Sequence, residues 1–269
     1  MDSYERGSLG SAHALVRGLR ELGSVQAPGS VLPTVLERVG LSDAYAEMET
    51  SIGPVFVAYN CLGISAVMRM ASATDFEQAF RLRFGRPIRR VAALPDALAR
   101  RVRQHLSGNG RPAPHVDLRG LSEFERAVLL KVREIPRGEM RPYAWVAQEI
   151  GHARAVRAVG TALKRNPVPL VIPCHRVCRS DGRIGSYVFG DDTKRTALAA
   201  EGVNVEALED LADAGIRYHG SATTRIYCYP TCRHARRIAE RHRVPFRSAA
   251  EATTHGYRPC TVCRPSRAA

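Results

Sequence analysis

The apolar and polar positions in the first part of the chain predict a small sheet with helices packed on it. Apolar residues fill two short runs, 54–59 and 64–68, and turn-forming residues lie between them, as is typical of a β-hairpin. Residues 75–84 and 94–106 have the apolar spacing of helices that would cover one face of this sheet. A stretch rich in glycine and proline, 107–114, then predicts a linker.

The pattern before this hairpin is weaker. Residues 13–22 could form a short amphipathic helix, and residues 23–33 are rich in glycine, serine and proline. We therefore interpret residues 1–50 as a lead segment with no identifiable function. Residues 51–114 are interpreted as an α/β N-terminal subdomain.

Three helical stretches lie close together in the middle of the chain. Ser122 precedes the first stretch and Glu125 follows three residues later, which is the pattern of a capping box at a helix start. Residues 143–150 and 153–163 form two further short helical patterns separated by a Gly-His pair. This spacing is typical of a helix-turn-helix, although many all-helical cores show it too.

The last third of the chain divides into two parts. A glycine-rich segment, 181–190, is followed by predicted helices over 193–201 and 206–214. After residue 215 the composition changes, because eleven arginines stand there against two acidic residues. We predict one domain over 115–206 and a separate small module over 216–269.

The charge of the chain suggests, but does not establish, a nucleic-acid partner. Lysine and arginine number 40 against 26 acidic residues, which gives a net charge of +14. Only three of the basic residues are lysines, and the planar guanidinium of arginine suits phosphate contacts. A high-GC genome would favour arginine codons as well, so charge alone leaves both explanations open.

The sequence also limits the cell compartment. No apolar run approaches the roughly 20 residues of a membrane span, and the first residues lack the basic-then-apolar layout of a secretory signal. We therefore expect a cytoplasmic protein without a membrane partner. Seven cysteines are an odd number, and in a reducing compartment they favour metal binding or chemistry over a disulfide framework.

The most informative chemistry lies in the run Pro-Cys-His-Arg-Val at 173–177. Cys174 and His175 are adjacent there, with Asn166 upstream and Glu201 downstream. The thiolate is the nucleophilic form of cysteine, and it needs a nearby base or positive charge. An isolated cysteine beside a histidine is more often a buried, inert residue, so the surrounding motifs decide the interpretation.

These surroundings resemble the O6-alkylguanine-DNA alkyltransferase family over about residues 53–205. Several motifs match in order and spacing, which makes an accidental match improbable. The matching segments are 137–139, Tyr143, 155–160, 166–177, 185–187, Gly190 and 201–202.

The resemblance implies an α+β fold with a small antiparallel-sheet subdomain and a winged helix-turn-helix-like catalytic domain. It implies that Cys174 accepts an alkyl group irreversibly from O6-alkylguanine, with O4-alkylthymine as a further candidate substrate and no cofactor. Neighbouring side chains in an extended segment point to opposite sides, so we expect His175 to act on the thiol through a bridging water. Glu201 would hold the other imidazole nitrogen, Asn166 would join this network, and Tyr187 would donate to the departing base.

The same resemblance implies double-stranded DNA carrying alkylation damage as the partner. Because the O6 substituent lies inside the base stack, the nucleotide must be rotated out. Arg157 matches the residue that family members insert in its place, and Tyr143 matches a tyrosine that pushes on the backbone phosphate. Without the family pattern, both would be read as ordinary surface or core residues. Cys178 is interpreted as a core substitution, and we expect a monomer.

Four of the seven cysteines form two closely spaced pairs near the C-terminus. Two residues separate the second pair, three separate the first, and 27 residues lie between the pairs. This pattern predicts a Cys₄ zinc site, against the alternatives of disulfides or incidental cysteines. The predicted ligands are Cys228, Cys232, Cys260 and Cys263. A module of about fifty residues has little core, so zinc would supply folding free energy that packing cannot.

Residues 223–232 and 255–265 resemble the zinc domain of the adaptive-response protein Ada. In that domain the first cysteine of the quartet, here Cys228, accepts a methyl group from a DNA methylphosphotriester. Thr224 and Arg258 match positions that contact the DNA backbone. Here, however, the module follows the alkyltransferase part instead of preceding it. An arginine expected after the second cysteine is also shifted, with Arg233 and Arg236 as candidates.

Two other functions remain open from the sequence. The first is a non-catalytic protein that recognises alkylated DNA, although such relatives lack the acceptor cysteine that Cys174 supplies here. The second is a zinc-dependent regulatory protein with a vestigial alkyltransferase half, against which the retention of Asn166, His175, Arg157 and Glu201 argues. No second helix-turn-helix domain of the kind that makes Ada an activator is evident, so gene regulation is not supported.

Overall fold

The computed structural model describes residues 31–109 and 112–266, so the helix expected at 13–22 lies outside the described residues. The first unit is a four-stranded sheet in the order β3-β2-β1-β4, in which only the β1–β4 pair is parallel. Its elements are α1 (Val31–Arg38), β1 (Asp43–Thr50), β2 (Gly53–Asn60), β3 (Gly63–Met68), α2 (Ala73–Phe84), β4 (Ile88–Arg90) and α3 (Asp96–Leu106).

The hairpin and the helices α2 and α3 of this unit were predicted, but α1 and β1 were not. Residues 43–50 pair with β2 along their whole length, so the boundary that we placed at residue 51 separates two paired strands and is wrong for the sheet. The signal was present, because Glu47 and Glu49 are exposed whereas Ala46 and Met48 are buried. This alternation is that of a strand with one face on the core.

The second unit carries the Cys-His run. Its first helix begins with the predicted capping box, in which the Ser122 side chain accepts from Glu125 N and the Glu125 carboxylate accepts from Ser122 N. Its elements are α4 (Glu123–Arg133), β5 (Arg141–Pro142), α5 (Tyr143–Glu149), α6 (Val156–Lys164), a 3₁₀ turn (Cys174–Arg176), β6 (Val177–Cys178), α7 (Asp191–Ala200) and α8 (Val205–Asp213).

Two features of this unit position the site. Helices α4, α5 and α6 pack together around buried Val128, Val146 and Val159, which places the predicted helix-turn-helix pair on a shared core. The short strands β5 and β6 pair in parallel, with Arg141 opposite Val177. Strand β5 runs directly into α5, and β6 directly follows the Cys174 turn, so this pair joins the two sides of the site.

The third unit is a small sheet in the order β10-β8-β7-β9. Its elements are β7 (Tyr218–Ser221), β8 (Ile226–Cys228), β9 (Arg243–Phe246), α9 (Ala249–Thr254) and β10 (Arg258–Pro259). A side chain at Gly220 would come within 2.7 Å of the rings of Phe246 and Tyr257, so only glycine allows these rings to pack on the sheet. The three units together form an α+β fold, as predicted.

Within the described residues, the structure contains no helix long and apolar enough to cross a membrane.

Candidate active site and metal centre

Asn166 holds Cys174 from the loop that precedes it. The Asn166 Nδ2 group lies 3.2 Å from Cys174 Sγ and 3.0 Å from the carbonyl oxygen of Ile172, and can donate to both. Its Oδ1 atom accepts from Val168 N at 3.0 Å. The loop turns sharply between these contacts, because Leu170 adopts a φ of 70°. The result is a buried sulfur whose position is fixed by one amide side chain.

The expectation of an extended segment at Cys174 and His175 is wrong. Residues 174–176 form a 3₁₀ turn, closed by a hydrogen bond from Arg176 N to the carbonyl of Pro173. Neighbouring side chains on such a turn do not alternate between two faces. Among the described residues, the buried Nδ1 atom of His175 has no hydrogen-bond partner, so the structure contains no direct bond from it to the sulfur.

Glu201 joins His175 to a residue that the sequence analysis left without a role. The Oε1 atom of Glu201 lies 2.9 Å from His175 Nε2, as we expected of this pair. Arg176 donates to both carboxylate oxygens, from Nε at 2.9 Å and from Nη2 at 2.8 Å. Burial raises the pKa of Glu201, but these hydrogen bonds outweigh it and lower the pKa to about 2. The carboxylate therefore stays ionised beside the imidazole.

Cys174 and His175 are both uncharged in the free protein at neutral pH. Burial raises the pKa of the Cys174 thiol to about 11, while the Asn166 hydrogen bond and the charge of Lys194 act against this rise. Burial lowers the pKa of His175, against the opposing effect of Glu201. The resting state is consequently a thiol beside a neutral imidazole whose far nitrogen faces a carboxylate.

Lys194 is a second residue that the sequence analysis missed. It is fully buried, and its Nζ atom donates to the carbonyls of Val177, at 2.6 Å, and Ile184. Burial lowers its pKa to about 8. A lysine in the first turns of an amphipathic helix gives no sequence signal of burial, because lysines there are usually exposed.

A cavity of about 830 Å³ opens over the sulfur and is lined by Cys174, Tyr143, Tyr187, Gly160 and Gly185, among others. This volume is within the range of small-molecule sites. The Tyr187 ring packs edge-on against the imidazole of His175, with 6.0 Å between ring centroids. Its hydroxyl is buried, has no partner among the described residues, and has a pKa raised well above the usual value by burial. Tyr187, a residue of the cavity wall, thus carries a protonated hydroxyl whose donor is unused among the described residues.

The two predicted DNA contacts lie on the neighbouring helices. Tyr143 is the first residue of α5 and is half-buried at the cavity wall. Arg157 is exposed in the first turn of α6, whose opposite face buries Val159 and Leu163. Cys178, in contrast, is buried and its pKa is raised to about 11 by burial, which fits the core role that we assigned to it.

The four C-terminal cysteines come together as predicted. Their sulfur atoms all lie within 4.8 Å of one another, and all four residues are buried. Four thiolates at a Zn–S distance of 2.3 Å would lie about 3.8 Å apart in a tetrahedron, so this donor set fits Zn²⁺. Thr224 and Arg258 are both exposed, and Arg258 pairs with Ile226, two residues beyond Thr224.

Comparison with known proteins agrees with this geometry. Residues 123–203 match the family model described as "6-O-methylguanine DNA methyltransferase, DNA binding domain", and residues 208–266 match "Metal binding domain of Ada". The chain therefore carries an alkyltransferase DNA-binding domain followed by an Ada-type metal-binding domain. Both resemblances found in the sequence are confirmed, and the Zn²⁺ expectation with them.

Individual relatives point the same way. A methylated-DNA–protein-cysteine methyltransferase of Mycolicibacterium paratuberculosis is 48% identical over 86 residues, which is 32% of this chain and 52% of that protein. The enzyme of the same name from Rattus norvegicus is 47% identical over 94 residues, 34% of this chain and 45% of that protein. The chain thus spans about half the length of the curated relatives it matches.

A solved structure extends the likeness beyond the matched family domain. The Mycobacterium tuberculosis OGT in complex with DNA has a TM-score of 0.50 and 25% sequence identity, and the match covers 62% of this chain and 99% of that chain. The likeness therefore includes residues outside the matched family domain.

Proposed function

We propose that this protein repairs DNA by a single, irreversible transfer of the alkyl group of O6-alkylguanine to the sulfur of Cys174. The observation that supports it most is the cavity itself. Cys174, whose sulfur is held by Asn166, and Tyr187 both line it, and the residue next to Cys174 in the chain, His175, is paired with Glu201. O4-alkylthymine, which presents the same kind of alkylated oxygen, is the further candidate substrate.

Activation of the thiol starts from an unfavourable pKa. With a pKa of about 11 in the folded protein, loss of the Cys174 proton to solvent at pH 7 would cost roughly 5 kcal/mol. Transfer of the proton to His175 Nδ1, through a bridging water, lowers this cost because the ionised Glu201 stabilises the imidazolium that forms. Asn166 stabilises the thiolate with its amide hydrogen bond.

The transfer step forms one bond and breaks one bond. The thiolate attacks the alkyl carbon, the S–C bond forms, and the C–O6 bond breaks with its electron pair going to the guanine. Tyr187 donates its hydroxyl proton in a hydrogen bond to the departing base, which stabilises the charge that develops there. The product thioether is a poor leaving group, so each molecule works once.

Access to the base requires DNA binding and rotation of the nucleotide. We propose that α6 enters the minor groove of double-stranded DNA, that Arg157 takes the place of the extruded base, and that Tyr143 contacts the backbone phosphate. The exposure of Arg157 on α6, the helix whose Gly160 lines the cavity, supports this, as does a relative whose structure was solved with DNA. All the named residues lie in one chain, so a monomer suffices.

The C-terminal module is proposed as a second acceptor. Cys228, Cys232, Cys260 and Cys263 would hold Zn²⁺. When bound, the ion keeps these thiols ionised and so supplies a nucleophile at neutral pH. Cys228 would then accept methyl from a DNA methylphosphotriester, with Thr224 and Arg258 contacting the backbone. This assignment rests on the Ada-type match and on the exposure of both contact residues.

We also propose a division of the chain into domains. Residues 115–206 would form the catalytic DNA-binding domain and residues 216–269 the zinc domain. The N-terminal subdomain that we placed at 51–114 would then extend forward to include β1.

Labelled substrates test both acceptors. The protein is incubated with DNA carrying radiolabelled O6-methylguanine, and the label is located by peptide mass spectrometry. We expect stoichiometric label on Cys174, none in Cys174→Ala, and full label in the control Cys61→Ala, which alters an exposed cysteine. Binding without transfer would instead favour the damage-recognition function. A methylphosphotriester substrate tests Cys228, and the zinc content of Cys260→Ser tests the metal site.

A further inference from the structure

The zinc module is joined to the alkyltransferase domain by hydrogen bonds at the start of β5. Met140 N donates to Thr231 Oγ1 at 2.9 Å, and Thr231 Oγ1 lies 3.4 Å from the Met140 carbonyl, to which it can donate. Both residues are buried. Thr231 thus supplies the hydrogen-bond partner of the Met140 N–H and a second donor to the Met140 carbonyl, which also accepts from Arg141 Nη1 at 2.8 Å.

A buried ion pair lies beside this contact and is completed by the same module. Glu139 and Arg141 are almost fully buried and form a salt bridge. The second carboxylate oxygen of Glu139 accepts from Arg233 N at 3.0 Å. The Arg141 guanidinium lies over the rings of Trp145, at 5.7 Å, and Tyr229, at 5.6 Å. Because buried charges are stable only when their hydrogen bonds are completed, this pair depends on the zinc module.

A third contact reaches α5 itself. The Arg264 guanidinium forms a salt bridge with Glu149 at 2.6 Å and lies 6.0 Å from the Trp145 ring. Glu149 is the last residue of α5, while β5 leads into its first. The module is thus attached at both ends of the helix that begins with Tyr143.

The residues that make these contacts are chain neighbours of the metal ligands. Tyr229 follows Cys228, Thr231 and Arg233 flank Cys232, and Arg264 follows Cys263. The metal centre and the interface are therefore built from the same loops. Geometry imposed on the four sulfurs by a metal also fixes the residues that contact β5 and α5.

We propose that the metal-loaded zinc module positions the alkyl-acceptor site, and that Thr231 is a positioning residue for it. β5 pairs with β6, which directly follows the Cys174 turn, and β5 ends at Tyr143 in the cavity wall. Loss of order at the Thr231–Met140 contact therefore loosens both β6, which follows the Cys174 turn, and the cavity wall at Tyr143. The statement about Cys174 rests on the function proposed for it; the coupling between module and β5 does not.

This coupling has a necessary converse. If metal binding orders the interface, an intact interface must favour metal binding by the same factor, because linkage is reciprocal. One buried hydrogen bond corresponds to about threefold to tenfold in an equilibrium constant. Weakening Thr231 should therefore lower zinc affinity, although the residue offers no ligand atom of the site.

The test compares two substitutions at Thr231 with a matched control. Thr231→Val keeps the shape and removes the hydroxyl, and Thr231→Ser keeps the hydroxyl. Thr253→Val alters a threonine of the same module whose hydroxyl bonds within α9, to the carbonyl of Ala249. Zinc affinity is measured by chelator competition, and amide exchange of residues 139–143 is measured by mass spectrometry on the full chain.

We expect Thr231→Val to weaken zinc affinity about threefold to tenfold, to speed amide exchange at Met140 and to slow transfer to Cys174 severalfold. Thr231→Ser and Thr253→Val should resemble the wild type in all three. Arg264→Gln, which changes a half-exposed side chain of the same interface, should also speed amide exchange at residues 139–143. Because it leaves Thr231 unchanged, it shows whether the effect of Thr231→Val is only a folding defect of that variant.

Zinc removal is the decisive arm. Zinc removal from the wild type should speed amide exchange over residues 139–143, as the Thr231→Val substitution does. Zinc removal from the Thr231→Val variant should cause a smaller further increase in exchange. Unchanged exchange at residues 139–143 after complete zinc removal would overturn the proposal. Exchange and zinc affinity need no alkylated DNA, so this result stands apart from any failure of Cys174 to accept label.

Discussion

The side-chain amide of Asn166 lies 3.2 Å from Cys174 Sγ, within hydrogen-bond distance of the sulfur. The same nitrogen also holds the carbonyl of Ile172. The nucleophile and the loop that presents it are therefore fixed by one residue. Chemistry and stability at this site should be lost together when that residue is changed.

We expect Asn166→Ala to lower the free energy of unfolding by about 1–3 kcal/mol, because it leaves the buried Val168 N–H without a partner and removes one of the two hydrogen bonds to the Ile172 carbonyl, whose other donor is Cys174 N. It should also slow transfer, since loss of the Asn166 hydrogen bond raises the pKa of the Cys174 thiol further. Urea unfolding and the single-turnover rate measure the two effects. Asn109→Ala, at an exposed residue, is the control, and a stable but slow variant would contradict the shared role.

Tyr187 should behave in the opposite way. Its hydroxyl is buried without a partner among the described residues, so Tyr187→Phe removes a desolvated polar group while keeping the ring packed against His175 and Phe189. We expect unchanged or slightly greater stability. The single-turnover rate should fall by about tenfold or more if the hydroxyl donates to the departing base.

The comparison of stability with rate decides the role of Tyr187. A full transfer rate in Tyr187→Phe would show that the base leaves without this donor. Tyr59→Phe, in the N-terminal sheet, controls for loss of a tyrosine hydroxyl elsewhere and should change neither the rate nor the DNA affinity.

Arg157 tests whether α6 is the helix that opens the duplex. Its side chain is exposed, so Arg157→Ala should alter stability by less than about 0.5 kcal/mol. The rate on double-stranded DNA should fall by about tenfold or more, because the cost of extruding the base is no longer offset. The rate with free O6-methylguanine, which needs no extrusion, should stay the same.

A matched arginine separates insertion from charge. Arg100→Ala removes the same charge from α3, where the side chain is also exposed. If both variants lose activity on duplex DNA equally, the effect of Arg157 is electrostatic and the insertion role is wrong.

Much of the site could be predicted because its residues lie in short, recognisable segments. Asn166 and Cys174 are eight residues apart, and Glu201 ends a predicted helix at a family-matched position. The local backbone was harder. The hydrogen bond from Arg176 to Pro173 closes a 3₁₀ turn, and a five-residue run with a proline gives no period from which to distinguish a turn from an extended segment.

Contacts between distant segments could not be predicted at all. Thr231 and Met140 are 91 positions apart, and neither residue type nor spacing indicates their pairing. Lys194 is buried by the carbonyls of Val177 and Ile184, which only the folded chain brings to it. The missed strand β1 is different, because its alternation of buried apolar residues with Glu47 and Glu49 was legible in the sequence.

The ionised Glu201 should make the fold sensitive to acid. Its pKa is about 2 in the folded protein against an ordinary value of 4.5. A carboxyl whose pKa is lowered by folding stabilises the protein above its unfolded pKa, and this stabilisation is lost as the pH falls from 4.5 toward 2. Lowering by this amount corresponds to about 3 kcal/mol at neutral pH.

We therefore expect Glu201→Gln to be less stable than the wild type at pH 7, and the difference to shrink as the pH falls below 4.5. The neutral amide of glutamine carries no charge to pair with the Arg176 guanidinium and does not titrate. The free energy of unfolding of this variant therefore lacks the pH dependence that Glu201 gives the wild type. Urea unfolding at several pH values between 7 and 3.5 measures the slope, with the exposed Glu240→Gln as control. If the stability of the wild type and of Glu201→Gln changes with pH in parallel, the Glu201 carboxylate does not stabilise the fold through His175 and Arg176. The contact of Glu201 with the imidazole would then serve catalysis alone.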